Sequence, residues 1–231
     1  MSAPITVVVP VRNGARYLPA ALNSLTGQTV PPAEIVVVDD GSSDGSGDLA
    51  RAAGATVLRA GSEEAGIGCG AARNVGARAA TTELLAFVDA DDLCAPDRFA
   101  LQLRALADDP ALDGVLGHVR QFVSPDRPEL AGRYAVPTEP MPGWHAGTLL
   151  IGRERFAATD GWSDDPGLHD AFDWFAAARE RGVRLRMLDE TVLERRIHGD
   201  NVTLQDREEL HARYLLSARA AIRRRTAGSG S

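Results

Sequence analysis

The chain contains no lysine: all 25 of its strongly basic side chains are arginine. That absence excludes Walker-type phosphate loops, which place a lysine on the phosphates. It also excludes protein kinases, pyridoxal-phosphate enzymes and Schiff-base aldolases, whose chemistry runs through a lysine. Haloacid-dehalogenase-type phosphatases, which share an Asp-x-Asp after a strand, are disfavoured on the same ground. Cysteine is scarce too, with only Cys69 and Cys94. Two such residues make neither a zinc site nor a disulfide framework. No apolar run approaches the length of a transmembrane helix, and the start of the chain lacks the basic segment of a signal peptide. The expectation is a cytoplasmic protein. The net charge of −7 argues against nucleic acid as a partner. A lysine-free chain rich in arginine and alanine has the composition of a high-GC bacterial genome.

What is present is a set of short apolar runs that end in acid. The segment Leu84 to Asp92 reads Leu-Leu-Ala-Phe-Val-Asp-Ala-Asp-Asp. Carboxylates so close raise each other's pKa unless a cation sits between them. All-oxygen ligands suit a hard divalent ion such as Mg²⁺ or Mn²⁺. Ile35 to Val38 likewise opens into Asp39-Asp40-Gly41-Ser42-Ser43-Asp44, and Ile5 to Val9 into Pro10-Val11-Arg12-Asn13-Gly14. Continuous Val/Ile runs read as central strands of a parallel sheet, and such sheets bind ligands at their strand ends.

Strand and helix signals alternate over the first hundred residues or so, the pattern of a doubly wound α/β sheet. Helices are expected over 15–25, 44–53, 71–80 and from Pro96 to Leu106, with a short strand over 56–58. The second half breaks this rhythm. Strands are expected over 115–123, 148–151, 185–188 and 192–197. A helix over 170–181 should bury Phe172, Phe175 and Ala176. A closing helix over 204–225 and a disordered tail over 226–231 complete a single domain over 1–225. Its first half covers 5–116 and its mixed second half 117–203.

Together these pieces resemble a family 2 glycosyltransferase of GT-A fold. Val8 to Asn13 resembles the opening strand and loop, and Val37 to Asp44 the nucleotide-base loop. Ala72-Arg73-Asn74-Val75-Gly76 resembles the family's Arg-Asn helix start. Phe87 to Asp92 matches its metal signature, and Arg196-Ile197-His198-Gly199-Asp200-Asn201 its C-terminal metal loop. The resemblance implies an inverting transfer of a sugar from a nucleotide diphosphate, most readily a UDP-sugar, to an acceptor hydroxyl. It implies that Asp91 ligates Mn²⁺ or Mg²⁺, that Asp89 meets ribose or metal, and that His198 completes the shell. Asp40 meets the base edge, Pro10 and Arg12 line base and ribose, and Arg73 holds phosphate or ribose. Where the family carries its base, this chain reads His169-Asp170-Ala171-Phe172-Asp173-Trp174. Asp170 is the expected base, with Asp173 as the alternative.

Plainer roles compete for the same residues. Asp44 and Asp170 both fit helix N-caps, and Asp173 fits a solvated helix face. Trp144-His145 fits an acceptor contact or the packing of two lobes. Trp162 is expected to shape the acceptor floor, and Trp174 to be core. Gly66-Ile67-Gly68-Cys69-Gly70 lies after the third strand and lacks the acid of a dinucleotide site, so it reads as a mobile loop over the donor. A nucleotidyltransferase and a non-catalytic nucleotide-sugar-binding relative are the rival functions. The acceptor is unreadable, and a homo-oligomer is left open.

Overall fold

A computed structural model describes residues 3–134, 136–137, 139–163 and 170–199, apart from the side chain of Asp170. The expected closing helix and tail lie outside these residues. The described strands are β1 (Ala3–Val11), β2 (Pro32–Asp40), β3 (Thr56–Ala60), β4 (Leu84–Phe87), β5 (Leu93–Cys94), β6 (Gly114–Val123), β7 (Met141–Pro142), β8 (Leu150–Gly152) and β9 (Leu185–Ile197). The helices are α1 (Leu18–Thr26), α2 (Ser46–Ala52), α3 (Cys69–Ala79), α4 (Arg98–Asp108), α5 (Arg153–Ala157) and α6 (Asp170–Glu180). All the strands join one sheet in the order β3-β2-β1-β4-β8-β6-β9-β5, with β7 beside β6.

The first half of the sheet is the parallel run β3-β2-β1-β4. Side chains alternate across these strands, so one valine run feeds two cores. Val8, Val36 and Val38 pack with Ala72 of α3 and Trp174 of α6 on one face. Val7, Val9 and Val37 pack with Leu18 and Leu22 of α1 and Phe99 of α4 on the other. Gly76 lets α3 settle onto the sheet, because a Cβ there would lie 2.3 Å from Val8. Pro10 costs no ladder bond on the β4 side, since the pairing of β1 with β4 ends at Val8 and Phe87.

β8 runs antiparallel to β4 and starts the mixed half of the sheet. Several sequence expectations are corrected here. The two strands expected over 185–197 are the single β9, which follows β6 in parallel through two register irregularities. The two-residue β5 and the short α5 carry too little periodicity to be seen in sequence. Helix α6 buries Ala171, Trp174 and Ala178 and leaves Phe172 exposed, so its core face is turned from the one expected. The cause is tertiary: Trp174 donates its indole N–H to Thr159 Oγ1 at 2.8 Å and packs on Trp162 at 4.9 Å between ring centroids. No helix among the described residues is long and apolar enough to cross a membrane.

Candidate active site

The acid-tipped strands open along one edge of the sheet. Beyond β4 the chain turns through Asp89, Ala90, Asp91 and Asp92, and one oxygen of each of the three carboxylates lies within 4.8 Å of the others. The return strand pins this turn. β5 pairs antiparallel with β9, matching Leu93 to Glu194 and Cys94 to Leu193. The Arg196 amide continues the pairing by donating to Asp92 Oδ1 at 3.0 Å. The Arg196 guanidinium donates from Nε to the Asp91 carbonyl at 2.9 Å and from Nη1 to Ser124 Oγ at 3.2 Å. It lies 4.9 Å from the ring centroids of both Tyr17 and Phe122. One residue past the end of β9, His198 Nε2 stands 2.9 Å from Asp91 Oδ2. The His198 and Tyr17 rings lie 4.7 Å apart.

Asp89 is held from two sides. Arg73, buried in α3, donates from Nη2 to Asp89 Oδ1 at 2.6 Å. His145 Nε2 lies 3.6 Å from Asp89 Oδ2. Burial alone would raise the Asp89 carboxyl, but the Arg73 guanidinium, through its charge and its hydrogen bond, outweighs it and holds it at about 2. Asp92 behaves oppositely: burial, then the charges of Asp91 and Asp89, push it well above the usual carboxylate range. A cation among these oxygens would relieve that repulsion, and the donor set of carboxylates and one imidazole fits a hard divalent ion.

The two adjacent acids of β2 point to opposite sides. Asp39 Oδ1 accepts the Ser42 amide at 2.8 Å and closes the turn before α2. The Asp40 carboxylate accepts the amides of Ile67 at 2.7 Å and Gly68 at 3.0 Å. The glycine loop therefore closes onto Asp40. Arg12 holds the same loop, donating from Nη1 to the Asp40 carbonyl at 2.8 Å and from Nη2 to the Glu63 carbonyl at 3.1 Å. A Cβ on Gly66 would lie 2.5 Å from both Arg12 Nη1 and Asp40 Oδ2. Asn74 ties α3 to the segment of Trp162, exchanging hydrogen bonds with the Trp162 amide and carbonyl at 2.9 and 2.7 Å.

The structure thus gathers Asp89, Asp91, His198 and Arg73 into one cluster, with Asp40 and Arg12 at the adjoining loop. Pro10 lies within β1. Trp144 is 59% exposed and meets Phe175 edge-on at 5.5 Å. Trp162 is only 2% exposed and belongs to the core, stacked among Phe87, Phe156 and Trp174. Asp170 opens α6, but its side chain lies outside the described residues. Asp173 is partly exposed on the same helix. The sequence pairs His145 with Trp144 as an acceptor contact or a packing pair, and it does not separate Arg196 from its motif. An arginine two residues before His198 was the signal for the second.

A family model described as glycosyl transferase family 2 matches residues 6–162. The chain belongs to that family. An uncharacterized glycosyltransferase of Rickettsia typhi is 27% identical over 224 residues, covering 90% of this chain and 69% of its own length. An uncharacterized glycosyltransferase of Nostoc sp. is 42% identical over 101 residues, covering 41% of this chain and 30% of its own. The matched region is thus under a third of the Nostoc protein. Among solved structures, S. aureus TarS 1-349 in complex with UDP-GlcNAc superposes with a TM-score of 0.68 at 21% identity, covering 89% of this chain and 61% of that one. The mannosyltransferase PcManGT of Pyrobaculum calidifontis, in complex with GDP-Man and Mn²⁺, gives 0.64 at 23% identity, covering 100% and 77%. At such identities the superpositions establish the shared GT-A fold.

Proposed function

We propose that this glycosyltransferase moves a hexose or hexosamine from a nucleotide diphosphate sugar, with a UDP-sugar the first candidate, to an acceptor hydroxyl with inversion and in dependence on Mn²⁺ or Mg²⁺. The observation that carries the reading is the approach of His198 to Asp91 at 2.9 Å across 107 residues of sequence, beside Asp89 and Asp92. Sheet pairing builds this cluster at a strand end, where a diphosphate is expected to lie. Asp91 and His198 would hold the ion, with Asp89 beside them. When bound, the ion neutralises charge that develops on the leaving diphosphate. Arg73, already on Asp89, adds a fixed fork of donors next to the same oxygens. The binding of UDP-GlcNAc by TarS and of GDP-Man by PcManGT keeps both donor bases in view.

Asp170 is the proposed base for the acceptor hydroxyl, with Asp173 as the alternative. Ala171 faces the core with Trp174 and Ala178, and the first turn of α6 offers Asp170 and Asp173 as its carboxylates. Base recognition at Asp40 requires the 66–68 loop to release two amide bonds, so donor binding and loop opening are linked. Cytoplasmic placement remains part of the proposal, as does the absence of a nucleic-acid partner.

The test is calorimetric titration with UDP, GDP and dTDP, each with Mn²⁺ and again with a chelator. Tight binding of one nucleotide only with the ion supports the reading and names the donor base. Binding unaffected by chelator would overturn the metal assignment. Binding without any release of nucleoside diphosphate from the sugar nucleotide would favour a non-catalytic relative.

A further inference from the structure

We propose that His145 is a positioning residue that fixes the Asp89 carboxylate from the acceptor side of the site, a role that serves catalysis if the sugar-transfer reading holds. The argument begins with the turn Gly143-Trp144-His145-Ala146-Gly147-Thr148. His145 precedes a single 3₁₀ turn over Ala146–Thr148, and its Nδ1 accepts the Gly147 amide at 3.0 Å. That bond requires a lone pair on Nδ1, so in the neutral ring the proton sits on Nε2. Nε2 is the atom that faces Asp89 Oδ2.

The turn is built to hold this ring. A Cβ on Gly147 would lie 2.8 Å from His145 Nδ1, and one on Gly143 2.6 Å from the Gly117 carbonyl. Thr148, fully buried, donates its hydroxyl to the Gly143 carbonyl at 2.6 Å. Capping alone does not account for an imidazole here. Ser, Thr, Asp and Asn cap better, and a cap uses only the nearer nitrogen. The farther one reaches a carboxylate whose other oxygen is already taken by Arg73. Asp89 is thereby gripped by α3 from the donor half and by this turn from the acceptor half. At 3.6 Å the contact is longer than a hydrogen bond, and a shift of a few tenths of an ångström would make it one. Contacts in apo sites commonly tighten this way when substrate binds.

Two substitutions separate the two nitrogens. In His145→Asn the amide oxygen stands near the place of Nδ1 and keeps the cap, but nothing reaches Asp89. In His145→Gln the longer amide reaches toward Asp89 and the cap is lost. The readouts are thermal midpoint and the steady-state hydrolysis of UDP-GlcNAc with Mn²⁺, with kcat and KM resolved. Loss of a residue that orients a site group costs about 10- to 100-fold. His145→Asn should therefore keep the midpoint and lose about that factor in kcat, and His145→Gln should lower the midpoint and recover most of kcat. The reverse order would show a cap alone and overturn the proposal.

A second measurement needs no turnover. Imidazole ¹⁵N spectra of the metal-free protein at pH 8.5 should show His145 protonated at Nε2, with a resonance that moves in Asp89→Asn. Protonation at Nδ1, or a resonance indifferent to Asp89, overturns the proposal. Both signatures in place without nucleotide binding would instead overturn the transferase reading and leave the positioning of Asp89 standing.

Discussion

Replacing Arg196 with leucine tests how the return strand holds the acid cluster. The guanidinium donates to the Asp91 carbonyl at 2.9 Å and to Ser124 Oγ at 3.2 Å, and it lies 4.9 Å from two aromatic rings. A hydrogen bond from a charged donor contributes about 1.5–3 kcal/mol. Each cation–π contact adds about 0.5–1 kcal/mol, more when desolvated. The side chain is almost fully buried, so the leucine regains part of this through apolar contact. The net loss should be about 3 kcal/mol, read as a lower urea midpoint with an unchanged slope. The Arg196 amide still donates to Asp92 in the variant, so β9 stays paired while the Asp91 carbonyl is released. Metal-dependent nucleotide affinity should fall about tenfold as Asp91 loses its support. Arg196→Lys keeps the charge without the fork and should recover less than half the stability. A loss below about 1 kcal/mol together with unchanged nucleotide affinity would refute this account of the loop.

Asp170→Asn should keep metal-dependent nucleotide binding and abolish transfer; survival of transfer there and its loss in Asp173→Asn would move the base to Asp173. Gly66→Ala sets a methyl 2.5 Å from Arg12 and Asp40. It should loosen the closed loop and lower the nucleotide Kd by a factor of about three, since less free energy is then spent on opening; weaker binding would show that the closed loop is the binding form. Asp44 accepts the amides of Ala15 at 2.8 Å and Ser46 at 3.0 Å. Burial alone would raise its pKa, but these bonds and that of the Ser46 hydroxyl together lower it from 3.8. The group thus stabilises the fold above that value, and the contribution vanishes as pH falls through the lowered one. Asp44→Asn should lower the urea midpoint at pH 7 and leave it unchanged at strongly acid pH, measured by urea unfolding at each pH.

Much of the donor half was legible in the chain itself. Fully buried parallel strands need apolar side chains on both faces, so the runs Ile5 to Val9 and Ile35 to Val38 announce themselves without a partner in view. Their ends could also be read, because polar residues after such a run must lie where the sheet meets solvent. Asp40, Asp89 and Asp91 were singled out in this way, and the order of the motifs named the family. Helix α6 was found and Trp174 placed in its core, but Phe172 was wrongly turned inward, because both are apolar and only Thr159 and the Trp162 cluster choose between them. The site's cross-connections were beyond the sequence for a deeper reason. Asp91 meets His198, Asp92 meets the Arg196 amide, and Asp89 meets both Arg73 and His145, through contacts spanning 16 to 107 positions. Local pattern fixes which residues can carry charge and where a strand must end. Which charges face one another depends on strand order and register, and these are settled only when β9 returns between β6 and β5.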